Sequence, residues 1–195
     1  MQTLGLSDST PRTESRLKSL FWPSIQSGAD VDYLAVQGFW VCTIVGLVSF
    51  VFLFAHQPIF AILLLLLFHM GGVGVREHNP FAAAVLLVYY VIDFLASIAH
   101  TLFSSPGIGV VKIIIIALLF SNLRATWIAS GWKPESEEAA LPPRMSDTFF
   151  DKLADQWPAF IWPKVKILYY VYSFGFMVLI VTGLILMVLR GALAF

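Results

Sequence analysis

The sequence predicts an all-α fold: a polytopic integral membrane bundle of five transmembrane helices, N-in and C-out, with a short cytoplasmic amphipathic helix. Three observations predict it. Of 195 residues, 58% are hydrophobic and 12% are charged, whereas a soluble domain carries about 25% charged residues. Five apolar runs approach the roughly 20 residues that a helix needs to cross the hydrocarbon core of a bilayer. Lysine and arginine fall mainly on one side of those runs.

The five runs divide the chain into spans and connections. Each span must be helical, because unpaired backbone N–H and C=O groups cannot face lipid. The predicted order is a cytoplasmic tail (1–32), two helical hairpins within 33–130 (spans 33–55, 58–75, 81–103 and 108–128), a cytoplasmic loop (131–164), and a fifth span (165–189) with a short C-terminus ending at 195. Pro58 and Pro80 open helices where the missing proline N–H does no harm. One alternative stays open: a re-entrant second run would leave four spans and an internal C-terminus.

Basic residues set the orientation. Ten of the twelve lysines and arginines fall on the side of the N-terminus, and only Lys112 and Arg190 fall on the other side. An excess of Lys and Arg marks the cytoplasmic side of a membrane protein. Tryptophan, which favours the membrane interface, clusters near the same side at Trp22, Trp127, Trp132, Trp157 and Trp162. The N-terminus is therefore expected inside and the C-terminus outside.

Two amphipathic segments are expected at the cytoplasmic surface. Residues 15–22 place apolar and basic side chains on opposite helical faces. Ser146 is expected to cap a helix over 147–157, in which Phe149, Phe150 and Trp157 share an apolar face and Asp155 belongs to the polar face. Such a helix lies flat on the membrane or docks on a partner. Neither segment is large enough to be an independent catalytic domain.

One acidic residue falls within the third span. Tyr89, Asp93, Ser97 and His100 follow each other at spacings of four, four and three, which puts them on one face of a helix. A carboxylate in the middle of a bilayer is costly, so Asp93 is expected to be neutral, paired, or directed into a wet cavity. The stripe indicates either a proton or substrate path, or a face packed on a neighbouring helix.

Lys112 is the candidate partner of Asp93. Folding the third and fourth spans about the turn near Ser105 brings Lys112 to within about six residues of the depth of Asp93, or about 9 Å. Three interpretations stay open. The two side chains form an ion pair; or Lys112 lies at the surface while Asp93 bonds to a hydroxyl or indole on another helix; or Asp93 carries protons or binds a substrate.

Other residues suggest packing or lipid contact. Gly38, Cys42 and Gly46 recur every four residues and form a small-residue face that another helix can approach closely, in this chain or in another subunit. Arg76 and Arg124 are candidate contacts for an anionic lipid or ligand, although Arg124 also suits a contact with headgroup phosphates.

No cofactor or metal site is expected. His69 and His100 differ in predicted depth by about 15–20 Å, which is too far for one haem or metal ion. His56, His100 and Lys112 form at most a weak candidate site at the outer surface. A lone cysteine, Cys42, cannot form a disulfide within the chain. The chain contains none of the familiar motifs of metalloproteases, hydrolases or nucleotide-binding loops, and no pattern identifies a family.

These observations favour a non-catalytic subunit or scaffold of a larger membrane assembly, rather than an enzyme. An alternative is a small oligomeric proton-coupled transporter that uses Asp93, and a third is a lipid- or quinone-acting enzyme using Arg76, Glu77, His78 and Arg124. The expected partners are the lipid bilayer and other membrane subunits or a second copy, and the zero net charge gives no indication of nucleic acid. Because no presequence is evident, a multi-pass location in a bacterial inner membrane is expected.

Overall fold

The computed structural model describes residues 15–98, 106–132 and 141–192, and in these ranges it contains helices and no strands. The elements, in chain order, are α1 (Arg16–Phe21), α2 (Gly28–Phe54), α3 (Pro58–Arg76), α4 (Pro80–Ala96), α5 (Pro106–Ser130), α6 (Phe149–Asp151), a π-helical segment (Lys152–Gln156) and α7 (Trp157–Ala192). Helices α2, α3 and α5 and the joined segment Phe149–Leu186 are long and apolar enough to cross a membrane, and α4 is a shorter apolar helix. The predicted helical membrane bundle is confirmed.

Helix α3 occupies the middle of the bundle. It packs against α2, α4 and α7, while α5 packs against α2 and α4. Successive helices run in opposite directions, so the bundle has two ends. The Arg76 end holds the last turn of α3 and the first turns of α2, α4 and α7. The Lys112 end holds the first turns of α3 and α5 and the last turn of α4.

Small residues bring α2 and α3 together. A Cβ atom added to Gly46 would lie 2.9 Å from the Cβ of Phe68, and one added to Gly72 would lie 2.9 Å from the Cβ of Cys42. At Gly38 an added Cβ would meet Val75 at 2.6 Å. The small-residue face of Gly38, Cys42 and Gly46 is therefore occupied by a helix of the same chain, and a second subunit is not needed to cover it.

The third span differs from its prediction. Helix α4 has 17 residues and ends at Ala96, where the backbone of the Ser97 cap and the Ser97 hydroxyl both donate to the carbonyl of Asp93. A serine hydroxyl competes for helix carbonyls in this way, and that local bonding favours a helix end. Asp93 consequently lies in the last turn of α4, while residues 99–103 of the predicted span lie outside the described residues. The short helix is the third one, whereas the second, α3, has 19 residues.

The predicted interfacial helix and the predicted fifth span are joined. The predicted N-cap, Ser146, is wrong, because the N-cap is Thr148, whose side chain and that of Asp151 form a reciprocal capping box. The helical path then continues from Phe149 through the π-helical segment and α7 to Ala192. Pro163 lies inside α7 without ending it. The helix therefore begins before residue 165, and the predicted start of the fifth span at that residue stays a prediction.

Candidate functional site

The Lys112 end holds an ion pair between α4 and α5. The ammonium Nζ of Lys112 lies 2.6 Å from Oδ2 of Asp93 and donates a second hydrogen bond to Oγ of Ser97 at 2.8 Å. Asp93 lies in the last turn of α4, and Lys112 lies in the second turn of α5, so the antiparallel arrangement of the two helices brings them to one depth. The first of the three interpretations left open by the sequence, an ion pair between Asp93 and Lys112, is the arrangement found in the structure.

The remaining members of the polar stripe are divided. Tyr89 lies one turn before Asp93, buried, with its ring edge-on to Phe68 at a centroid distance of 5.5 Å. His100 lies outside the residues that the structure describes. Tyr89, Asp93 and Ser97 therefore share one face of α4. Tyr89 packs against the bundle, and Asp93 and Ser97 bind Lys112 at the end of the helix.

A cavity of about 890 Å³ adjoins the ion pair. All five apolar helices contribute to its wall, which is mainly aliphatic and aromatic. The polar side chains in the wall are Ser49, Tyr89, Tyr90, Asp93 and Lys112. The cavity gives the ion pair an open space beside it, instead of the close packing that surrounds most buried pairs.

The Arg76 end holds a second set of charges. The guanidinium of Arg76 donates to Oδ1 of Asp32 at 2.5 Å and to Oδ1 of Asp155 at 2.8 Å, and its Nε also donates to the carbonyl of Ala154 at 3.1 Å. Asp32 belongs to the first turns of α2, and Asp155 belongs to the π-helical segment. The side chain of Arg76 thereby joins three elements: its own helix α3, α2 and the π-helical segment.

Arg76 is 1% exposed. A lipid headgroup cannot reach a guanidinium that is buried and surrounded by two carboxylates of the same chain. The predicted lipid or ligand contact at Arg76 is therefore wrong. Tertiary packing explains the difference: the sequence shows Arg76 in a polar break between two spans, but the π-helical segment covers that break.

A further layer of contacts surrounds Asp155. Arg144 donates to Oε1 of Glu77 at 2.7 Å and to the carbonyl of Asp155 at 2.6 Å. The backbone N–H of Met145 donates to Oδ2 of Asp155 at 2.9 Å. Asp155, which the sequence placed on the polar face of the predicted helix, is buried and accepts hydrogen bonds at both carboxylate oxygens.

His78 stands in the turn that follows α3. Its φ of 55° is in the left-handed region, and its Nε2 is buried without a hydrogen-bond partner among the described residues. Burial, and secondarily the positive charge of Arg76, lowers the pKa of His78 below its ordinary value. The ring is therefore neutral near pH 7 and does not add to the charge of the cluster.

Arg124 has separate partners. It donates to the carbonyl of Pro23 at 2.9 Å, and its guanidinium lies over the indole of Trp22 at 4.5 Å from the ring centroid. Trp22 also stacks on Phe120 of α5. Arg124 thus fastens the end of α1 to α5, and the two arginines are engaged by different groups rather than forming one basic pocket.

The histidines of the described residues lie apart. His69 Nδ1 shares a hydrogen bond with Oγ1 of Thr43 at 3.2 Å, and His56 lies in the exposed turn between α2 and α3. In ranges 15–98, 106–132 and 141–192, no three His, Cys, Asp or Glu side chains form a group that could hold a metal ion.

Sequence reasoning missed the roles of Asp32 and Asp155 as partners of Arg76. A signal was present, since each carboxylate lies at the polar border of an apolar segment on the same predicted side of the membrane as Arg76. It also missed Asn79, which caps α4 and donates to the hydroxyl of Tyr170 at 2.7 Å. Comparison of the chain with protein families, curated proteins and solved structures finds no match.

Proposed function

We propose that the chain is a non-catalytic component of a larger membrane protein assembly. The observation that supports this most is the use of its charges. Arg76 pairs with Asp32 and Asp155, Lys112 pairs with Asp93, and Arg144 pairs with Glu77. With the bond from Arg124 to the carbonyl of Pro23, these contacts join segments of the chain that are distant in sequence. Arg76 and Glu77, required by the reading as a lipid- or quinone-acting enzyme, are both committed to such pairs.

Helix α7 is the surface that suits a partner. Within Phe149–Leu186, only 17% of the most apolar 18-residue stretch is buried in the bundle. Phe174 is exposed, and Cβ atoms added to Gly175 or Gly183 would meet nothing within 4 Å. Small residues beside exposed aromatic side chains let a second transmembrane helix approach closely. The proposal includes a bacterial inner membrane as the location, which fractionation of the source cells tests.

The mass of the native particle tests the proposal. The full chain is extracted in a mild detergent from its own membrane, and every co-purifying chain is identified and quantified. A stoichiometric set of other membrane proteins is the expected result. Phe174→Ala should reduce the amount of those partners, whereas Phe52→Ala, which shortens a similarly exposed ring on α2, should not. Recovery of a lone monomer or a homo-oligomer contradicts the proposal.

A second candidate function has an observation of its own. The Asp93–Lys112 pair lines a cavity of about 890 Å³, and a membrane carboxylate beside an open space is the usual arrangement in proton-coupled transporters. Against it, five spans do not divide into two equal repeats.

Asp93→Asn separates the two candidates. In a transporter, the variant should remain folded and lose substrate-driven proton movement in proteoliposomes. In an assembly component, it should change only thermal stability or partner recovery. Asp151→Asn, which changes a capping carboxylate at the Arg76 end, is the matched control and should leave both readouts near those of the native chain.

A further inference from the structure

The cavity at the Lys112 end has the size and position of a ligand site. Its volume of about 890 Å³ lies within the roughly 300–1,000 Å³ that small-molecule pockets occupy. Its wall comes from α2, α3, α4, α5 and α7, so a molecule inside it would touch every apolar helix of the bundle. The space is partly open at the protein surface, so a molecule can enter it without unfolding the bundle.

The rim of the cavity is apolar and exposed. Phe52 is 78% exposed, Leu179 is 58% exposed and Ile108 is 56% exposed, and all three line the cavity. These side chains belong to helices that cross the hydrocarbon core. The opening consequently faces lipid tails, and a molecule with an alkyl chain can enter sideways from the bilayer.

The ion pair gives the cavity one polar position. Lys112 has three N–H donors, of which two are used by Asp93 and Ser97. Asp93 accepts at Oδ2, while its Oδ1 receives no hydrogen bond from the described residues, and its side chain remains 41% exposed. Among the described residues, one donor of Lys112 and Oδ1 of Asp93 therefore remain without a partner, side by side at the wall.

The net charge of the Asp93–Lys112 pair determines which ligand charge the cavity favours. The pair is neutral as a whole, and an additional charge in a low-dielectric site is costly unless it has its own partner. A hydroxyl group meets both needs, since it donates to Oδ1 of Asp93 and accepts from Nζ of Lys112. A fatty acid anion would instead have to compete with Asp93 for Lys112.

We propose that this cavity binds an uncharged amphiphile from the bilayer: a single long alkyl chain with a hydroxyl-bearing head, of which a monoacylglycerol is the example. The head lies at Asp93 and Lys112, and the chain lies against the apolar wall. The site goes beyond the role in an assembly and does not depend on it.

Two glycines of α7 provide a matched test. Gly183 lines the cavity and Gly175 does not, and an added Cβ meets nothing within 4 Å at either position. Gly183→Leu therefore adds a side chain to the cavity from a position with open space around its Cβ, while Gly175→Leu makes the same chemical change on the same helix. As a purified single chain, each variant should keep the thermal midpoint of the native chain.

Binding is measured with the full purified chain in nanodiscs, using radiolabelled 1-monooleoylglycerol. Saturable binding to the native chain and to Gly175→Leu is expected, with affinity about tenfold weaker in Gly183→Leu. Oleate and oleylamine, which carry the same chain with a charged head, should each bind about tenfold more weakly than the monoacylglycerol. Equal affinity of the native chain and Gly183→Leu, or tighter binding of either charged analogue, overturns the proposal.

A second measurement does not rely on a variant. A monoacylglycerol with a photoreactive group in its chain is crosslinked to the native protein, and the labelled peptides are identified by mass spectrometry. Labels should concentrate on the cavity segments around Phe52 and Leu179, and unlabelled monoacylglycerol should compete. Labelling that is uncompeted, or spread equally over Ile167 and Val171 on the outer face of α7, contradicts a defined site.

Discussion

Arg76 carries a charge at a position where neither water nor lipid reaches it. Its two carboxylate partners, Asp32 and Asp155, come from elements 44 and 79 residues away in sequence. Such a pair stabilises little relative to a well-packed apolar substitute, but the loss of one partner leaves the others buried and unpaired. The arginine at position 76 therefore determines whether the carboxylates of Asp32 and Asp155 are tolerated in the fold.

Arg76→Met should lower the free energy of unfolding by about 3–5 kcal/mol, because Asp32 and Asp155 would lose their shared partner. The measurement is thermal unfolding of the purified chain in detergent micelles. Arg124→Met is the control, since Arg124 contacts a carbonyl and an indole but no carboxylate, and about 1 kcal/mol is expected there. Equal losses in the two variants would contradict the assigned role of Arg76.

His78 should make the stability of the fold depend on pH. Burial and the charge of Arg76 lower its pKa, with Arg144 acting in the same direction and Asp32 and Glu77 opposing it. The unfolded chain therefore binds a proton on this ring more readily than the folded chain. The contribution of neutral His78 to the free energy of unfolding is therefore fully present above about pH 6.5. That contribution is lost as the pH falls from there through the lower pKa of the folded state.

The comparison of His78→Asn with the native chain isolates this effect. Asparagine tolerates the left-handed backbone conformation of the turn and does not titrate. The difference in thermal midpoint between the two proteins should therefore change as the pH falls from 7 to 5, in favour of the variant. A difference that stays constant over this range would show that His78 is not the titrating group.

At the scale of the elements, close contact between α2 and α3 depends on glycine. A Cβ atom at Gly72 would lie 2.9 Å from the Cβ of Cys42 and 3.2 Å from the carbonyl oxygen of Phe39. Backbone atoms cannot rotate away as a flexible side chain can, so the two helices must separate. The same atom added to Gly175 has open space around it.

Gly72→Ala should therefore destabilise the bundle by about 1–3 kcal/mol, and Gly175→Ala should be neutral or stabilise it by up to about 1 kcal/mol through helix propensity. Thermal unfolding in the same detergent compares the two. Stabilisation by Gly72→Ala would mean that the helices are less tightly packed than the structure has them.

The elements also show how far sequence reasoning extends. Hydropathy and prolines located α2, α3 and α5 to within a few residues, because lipid exposure imposes composition directly on each span. The end of α4 and the junction at Lys152–Gln156 depend on particular hydrogen bonds, which composition does not record. The burial of Arg76 and Asp155 depends on which element covers which, and the Asp93–Lys112 pair was only one of three open interpretations for the same reason.

At the scale of the whole molecule, the five alternating helices put Ser15 and Ala192, the first and last described residues, at opposite ends of the bundle. The basic residues then predict which end faces the cytoplasm. The chain offers a clean means of testing this, because its one cysteine, Cys42, is fully buried.

Single added cysteines should report the orientation. With a membrane-impermeant maleimide on intact cells, Gln57→Cys in the turn at the Lys112 end should be labelled, and Ser15→Cys at the Arg76 end should be labelled only after the membrane is opened. The native chain, whose thiol is inaccessible, is the background control. Labelling of Ser15→Cys in intact cells would reverse the orientation.

The helical path from Phe149 to Ala192 is continuous, so a movement at one end of the last transmembrane segment is transmitted to its other end. Asp155, near one end of the path, is held by Arg76, while Gly183 borders the cavity about 42 Å away at 1.5 Å per residue. A rotation of about 5° about the fixed end would move the far end by about 4 Å. A change that weakens the contacts of Arg76 with Asp155 would therefore widen or narrow the cavity beside Lys112, although that change lies at the other end of the bundle.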